Sequence, residues 1–124
     1  MINEYDIFTK EKTEISYCSF IQTILIELGL SPTSKGTYYL RDIIVLALQE
    51  YKFKDITLIE LRNKLAIKKH TTPYTIKSNI DYTFKMKDTA KAEKNFEKIF
   101  KIKYDEYYIT AKALTNLIVS LIYM

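Results

Sequence analysis

Two glycines and two prolines are the only strong backbone interrupters in the 124 residues of this chain. An all-β fold needs a turn every few residues, and its turns draw heavily on those two types. Their scarcity therefore favours long helices with few breaks, an all-α fold. Apolar residues make up 48% of the sequence, enough for a real core, and the length fits one domain.

The breaks that do occur fall at helix ends. Ile21, Ile24, Leu25 and Leu28 stand at i, i+3, i+4 and i+7, one apolar stripe on a helix from about Ile15 to Leu28. Gly29 then sits where a left-handed C′ residue is needed, and Pro32 prevents continuation. A second helix is expected from Lys35 or Thr37 to Tyr51, with Leu40, Ile43, Ile44, Ala47, Leu48 and Tyr51 as its stripe. Thr57 and Glu60 have capping-box spacing and open a short third helix, ending near Ala66, with Leu58, Leu61 and Leu65 inward.

Thr71 or Thr72 can cap a fourth helix, because Pro73 suits the first helical position, where no N–H is required. Ile76, Ile80, Thr83 and Phe84 line its inner face. Thr89 to Lys101 reads as a fifth helix through Ala92, Phe96, Ile99 and Phe100. Ile102 to Tyr108 reads as an extended or turn segment. Thr110 to about Tyr123 reads as a sixth helix, apolar on more than one side and so either central to the core or shared with a partner chain. Residues 1–14 carry no clear period and read as an arm or short leading helix ahead of a domain over 15–124.

Charge is distributed unevenly. The stretch from Arg62 to Lys103 holds twelve Lys and Arg against four Asp and Glu, a net +8, whereas the remainder carries −4. A basic half beside an acidic one draws polyanions; the plainer reading is a solvated lysine-rich face. The polar, charged first residues give no signal peptide, and Leu114 to Met124 is too short and too interrupted to span a bilayer, so a cytoplasmic protein is expected. Cys18 and His70, each the single residue of its type, lack companions at metal spacing, and Cys18 reads as an inert half-buried thiol. No nucleophile–base pair, phosphate loop or carboxylate pair stands out, so neither an enzyme nor a cofactor or small-molecule substrate is expected. Tyr39 and Tyr51 fall on or beside apolar stripes, and most of the eleven tyrosines are expected in the core or at its rim.

A short helix, a tight joint and a second helix with a polar outer face have the form of a helix-turn-helix. The joint would place free N–H groups and a positive dipole end at Thr71 and Thr72, suited to phosphate. Lys68, Lys69, Lys77, Lys85 and Lys87 would supply charge. Tyr74, Thr75, Lys77, Ser78, Asp81 and Tyr82 would face bases of double-stranded DNA, Asp81 accepting from a cytosine amino group. Two such helices also occur in many proteins that never touch DNA.

Two segments narrow the choice. Ile21-Gln-Thr-Ile-Leu-Ile-Glu-Leu-Gly-Leu30, followed by Lys35-Gly-Thr-Tyr-Tyr-Leu-Arg-Asp-Ile-Ile44, resembles the start of the C-terminal effector domain of the sporulation master response regulators, the stage-zero sporulation protein A family. Leu65-Ala66, Lys68 and Thr71-Thr72 resemble that family's turn. The resemblance covers about residues 19–122 and implies six helices, the third and fourth forming the helix-turn-helix. It also implies transcription regulation through promoter DNA, with two copies on adjacent sites or a homodimer.

The chain departs from the family pattern in three ways. The segment ahead of the domain is under twenty residues, so no receiver domain and no phosphorylation switch is expected. Thr75, Ser78 and Asp81 stand where the family has arginines, which removes bidentate arginine–guanine contacts. Lys85-Met-Lys-Asp-Thr89 replaces the family's Trp-containing loop. Two readings follow. In one the chain binds duplex DNA with altered preference; in the other it keeps the fold as a protein-interaction module, partner or competitor of a related regulator.

Overall fold

The computed structural model describes residues 10–50 and 57–123, with side chains from Tyr17 onward. Among the described residues the chain is all-helical and has no strand. Six α-helices occur: α1 (Lys10–Glu27), α2 (Lys35–Glu50), α3 (Leu58–Lys68), α4 (Pro73–Lys85), α5 (Thr89–Phe100) and α6 (Ala111–Tyr123). A 3-10 turn, Glu106–Tyr108, punctuates the segment expected to be extended or turn.

Most helix ends follow local chemistry. Leu30 N–H donates to the Leu25 carbonyl and Gly29 N–H to that of Ile26, with Gly29 at φ +94°, a Schellman stop on α1. Thr57 and Glu60 form the full capping box on α3. Thr72 Oγ1 accepts from Thr75 N–H at 3.1 Å, with Pro73 opening α4. Thr110 Oγ1 accepts from Ala113 N–H at 3.1 Å and starts α6.

Two boundaries differ from the sequence reading. The first helix begins at Lys10, five residues before Ile15, so the end of the segment read as an arm or short leading helix is continuous with α1; residues 1–9 lie outside the described residues. The third helix runs on to Lys68, past Ala66. Tyr51, expected on the second stripe, lies outside the described residues.

The core is built around α2, which packs against α1, α3, α4 and α6. Its Leu40, Ile43, Ile44, Ala47 and Leu48 are buried among Leu25, Leu28, Leu65, Ile76, Leu114 and Ile118. Each fully buried aliphatic side chain contributes about 1.5–3 kcal/mol, so this one stripe is a large share of the stability. The sixth helix buries Leu114, Thr115, Ile118 and Val119, while Leu117, Leu121 and Ile122 pack partly against the core.

Burial of Thr115 is costly. The residue is 5% exposed, and its hydroxyl has no hydrogen-bond partner among the described residues. An unpaired buried hydroxyl forfeits about 1–3 kcal/mol of solvation. Thr115→Val keeps the shape and removes the polar atom, so it should stabilise the domain by about 1 kcal/mol. A urea midpoint that falls or stays put would show that the hydroxyl is satisfied in solution.

Candidate functional site

The fourth helix is seated from the inside by α2 and α3. Ile76, Ile80 and Thr83 are buried, and Phe84 is half-buried against the core. Gly36 lets the start of α2 approach closely: a Cβ there would stand 2.0 Å from Thr83 Oγ1 and 2.3 Å from the Asn79 carbonyl. The Ser34 hydroxyl takes up this contact by hydrogen-bonding Thr83 Oγ1, while also accepting from Gly36 N–H at 3.3 Å.

The joint from α3 to α4 is a second Schellman turn. Thr71 N–H donates to the Ala66 carbonyl at 3.0 Å and His70 N–H to that of Ile67 at 3.3 Å. His70 occupies the left-handed position at φ 54°, where glycine is usual. It is exposed, so its part in the turn is a backbone one.

Set on a helix of 3.6 residues per turn, Tyr74, Ser78, Asp81 and Lys85 fall within an arc of about 60° opposite the buried side, flanked by Lys77 and Tyr82. All six are exposed. Thr75, placed by sequence on the same outer face, is half-buried, and its hydroxyl is hydrogen-bonded to that of Thr72 at 2.9 Å. Thr71 is half-buried in the turn. The two threonines at 71 and 72 therefore build the joint and cap the helix.

The lysines do not stand alike. Lys77 Nζ lies 2.7 Å from Asp81 Oδ2, one turn along α4. Lys69 Nζ lies 3.2 Å from Asp42 Oδ2 on α2, where Arg41 also bonds the other oxygen at 2.9 Å. Lys87, counted among the phosphate contacts from sequence, is turned away: its side chain is 13% exposed and its Nζ lies 3.0 Å from Glu106 Oε1. Lys68 and Lys85 are exposed and form no ion pair among the described residues.

Glu106 anchors that last contact twice, because Tyr104 OH donates to its other oxygen. The hydrogen bonds from Tyr104 and Lys87 hold the Glu106 carboxyl below its ordinary value. Burial and then the Glu106 carboxylate push the Tyr104 phenol up to about 12. Sequence spacing gives no hint of this triad, since its members come from two different connecting segments.

Other side chains sort less evenly. Tyr17, Tyr39 and Tyr104 pack on the core as expected, whereas Tyr74, Tyr82 and Tyr107 stand well out in solvent. Glu27 accepts from Asn95, through both its backbone carbonyl at 2.8 Å and its carboxylate at 3.1 Å. Cys18 is half-buried. Among the described residues no three His, Cys, Asp or Glu side chains are grouped to hold a metal, and no helix is long and apolar enough to cross a membrane. An open groove lined by Phe20, Ile24, Asn95, Lys98, Ile99 and Leu121 involves α1, α5 and α6, and takes no residue from α3 or α4.

No family model, curated protein or solved structure matches this chain.

Proposed function

We propose that the chain is a duplex-DNA-binding transcription regulator, in which α3 and α4 form a helix-turn-helix and α4 enters the major groove. The observation that carries the reading is the stance of α4. One side is anchored on α2 and α3, while the whole opposite face is exposed, with Lys68 just before the turn and Lys85 at the far end, both exposed and in no ion pair among the described residues. A groove-reading helix needs that division between an anchored side and a hydrogen-bonding outer side. The tight left-handed joint at His70 suits the same motif. The resemblance of residues 21–44 to the sporulation regulators' effector domain supports it independently, and brings with it two copies of the chain on adjacent sites.

A second reading has its own observation. Tyr74, Tyr82, Met86 and Ile67 are exposed on or next to α4, and three of the five lysines assigned to DNA are held in ion pairs. Exposed aromatic side chains are characteristic anchors of protein interfaces.

A salt titration of fluorescence anisotropy on a random-sequence duplex separates the two. Under the DNA reading, affinity falls steeply with salt, and Lys68→Ala and Lys85→Ala each reduce the log–log slope by about 1. Lys87→Ala should leave the slope unchanged, because that ammonium is already committed to Glu106. A duplex left unbound at low salt by the intact chain would remove the DNA reading and promote the protein-interaction one.

A further inference from the structure

The outer face of α4 carries no arginine, the side chain that most often reads guanine in the major groove. Its one central cation is committed: to reach guanine O6 or N7, the Lys77 ammonium would have to leave Asp81 Oδ2 at 2.7 Å. The pair is neutral as a unit and brings no net attraction to the middle of the face. What the face offers is ring surface, with Tyr74 78% and Tyr82 62% exposed. Eight residues separate them, about 12 Å along the axis, or roughly three to four base-pair steps.

Only one base presents an apolar group in the major groove. That is thymine, through its C5-methyl. Resting on the DNA reading above, we infer that α4 selects A·T-rich duplex by packing the Tyr74 and Tyr82 rings on thymine methyl groups, while Lys68 and Lys85 hold the flanking phosphates. Ser78, between the two rings, is small enough to let the helix approach.

The test uses the intact chain and four duplexes of equal length: alternating dA·dT, the same with dU for dT, alternating dG·dC, and the same with 5-methylcytosine. Removing a methyl from an apolar contact should weaken binding about fourfold, so loss at both rings should weaken it tenfold or more. The dA·dT duplex should therefore bind at least tenfold tighter than its dU counterpart, and 5-methylcytosine should strengthen binding to dG·dC. Tyr74→Ser with Tyr82→Ser should abolish the difference while leaving the salt slope and the circular dichroism intact. Tyr74→Phe with Tyr82→Phe should retain it. Equal affinity for dT and dU duplexes would overturn the methyl contact and leave the DNA reading standing; failure to bind any of the four at low salt would overturn both.

Discussion

Replacing Gly36 with alanine should destabilise the domain by about 3 kcal/mol. The sign is informative, because local propensity alone demands the opposite. A glycine inside a helix costs about 1 kcal/mol relative to alanine, so an unconstrained position would gain stability. Here the new methyl would stand 2.0 Å from Thr83 Oγ1 and 2.3 Å from the Asn79 carbonyl oxygen. The threonine could rotate away, at the loss of its hydrogen bond to Ser34, worth about 1 kcal/mol. The carbonyl belongs to the backbone of α4 and can yield only if the two helices separate.

Overpacking of this kind costs about 1–3 kcal/mol or more, and the position lies at the upper end. Urea unfolding followed by circular dichroism measures the change. A second variant, Thr83→Ala, isolates the backbone part: combined with Gly36→Ala it should recover only a fraction of the loss, giving a measurable coupling between the two sites. A gain in stability for Gly36→Ala alone would mean that α2 and α4 do not cross this closely. The same contact fixes how α4 is presented, so its loss should also weaken any ligand held by the outer face.

That role of Gly36 is invisible in the sequence taken alone, and the reason is physical. Caps and stops are local: Thr57 with Glu60, Thr72 with Pro73, and Gly29 each act on backbone groups within a few residues, so spacing reveals them. The apolar stripes are equally local and place α2 to α6 to within a few residues. The start of α1 carries no such stripe: Lys10, Glu11, Lys12 and Glu14 favour a helix by propensity but have no apolar period to mark it. Gly36 meets Thr83 across 47 positions, and no local pattern announces such an approach.

The candidate site divides along the same line. Its members lie in one stretch, 68–85, so turn and helix were legible together with the outward side of Tyr74, Ser78, Asp81, Tyr82 and Lys85. Which lysines are held in ion pairs was not legible. Lys69 is taken by Asp42 on another helix, and Lys87 by Glu106 in a later connection, both pairings set by tertiary approach. Lys77 with Asp81 is the exception, an i,i+4 pair that spacing alone allows.

The second large effect is expected at Phe96. Its side chain is fully buried, and the chain after α5 folds back around it. The Phe100 ring lies 4.9 Å from it, Tyr104 meets it edge-on at 5.7 Å, and Tyr108 stacks at 5.5 Å. Phe96→Ala removes the common partner of three rings and should cost about 3–5 kcal/mol. Phe96→Leu, which fills much of the volume without the ring faces, should cost less, about 1–2 kcal/mol, the share owed to aromatic geometry. Near-ultraviolet circular dichroism of the tyrosines should fall in both variants, since Tyr104 and Tyr108 lose their fixed neighbour in each. The consequence reaches α4, because Tyr104 and Glu106 hold Lys87 just beyond its end. If the aromatic cluster positions that clamp, Phe96→Leu should free Lys87 while the domain stays folded, and the salt slope for duplex DNA should rise by about 1. An unchanged slope in a folded Phe96→Leu protein would show instead that Lys87 and Glu106 stay paired without the ring stack, and that the cluster serves the core alone.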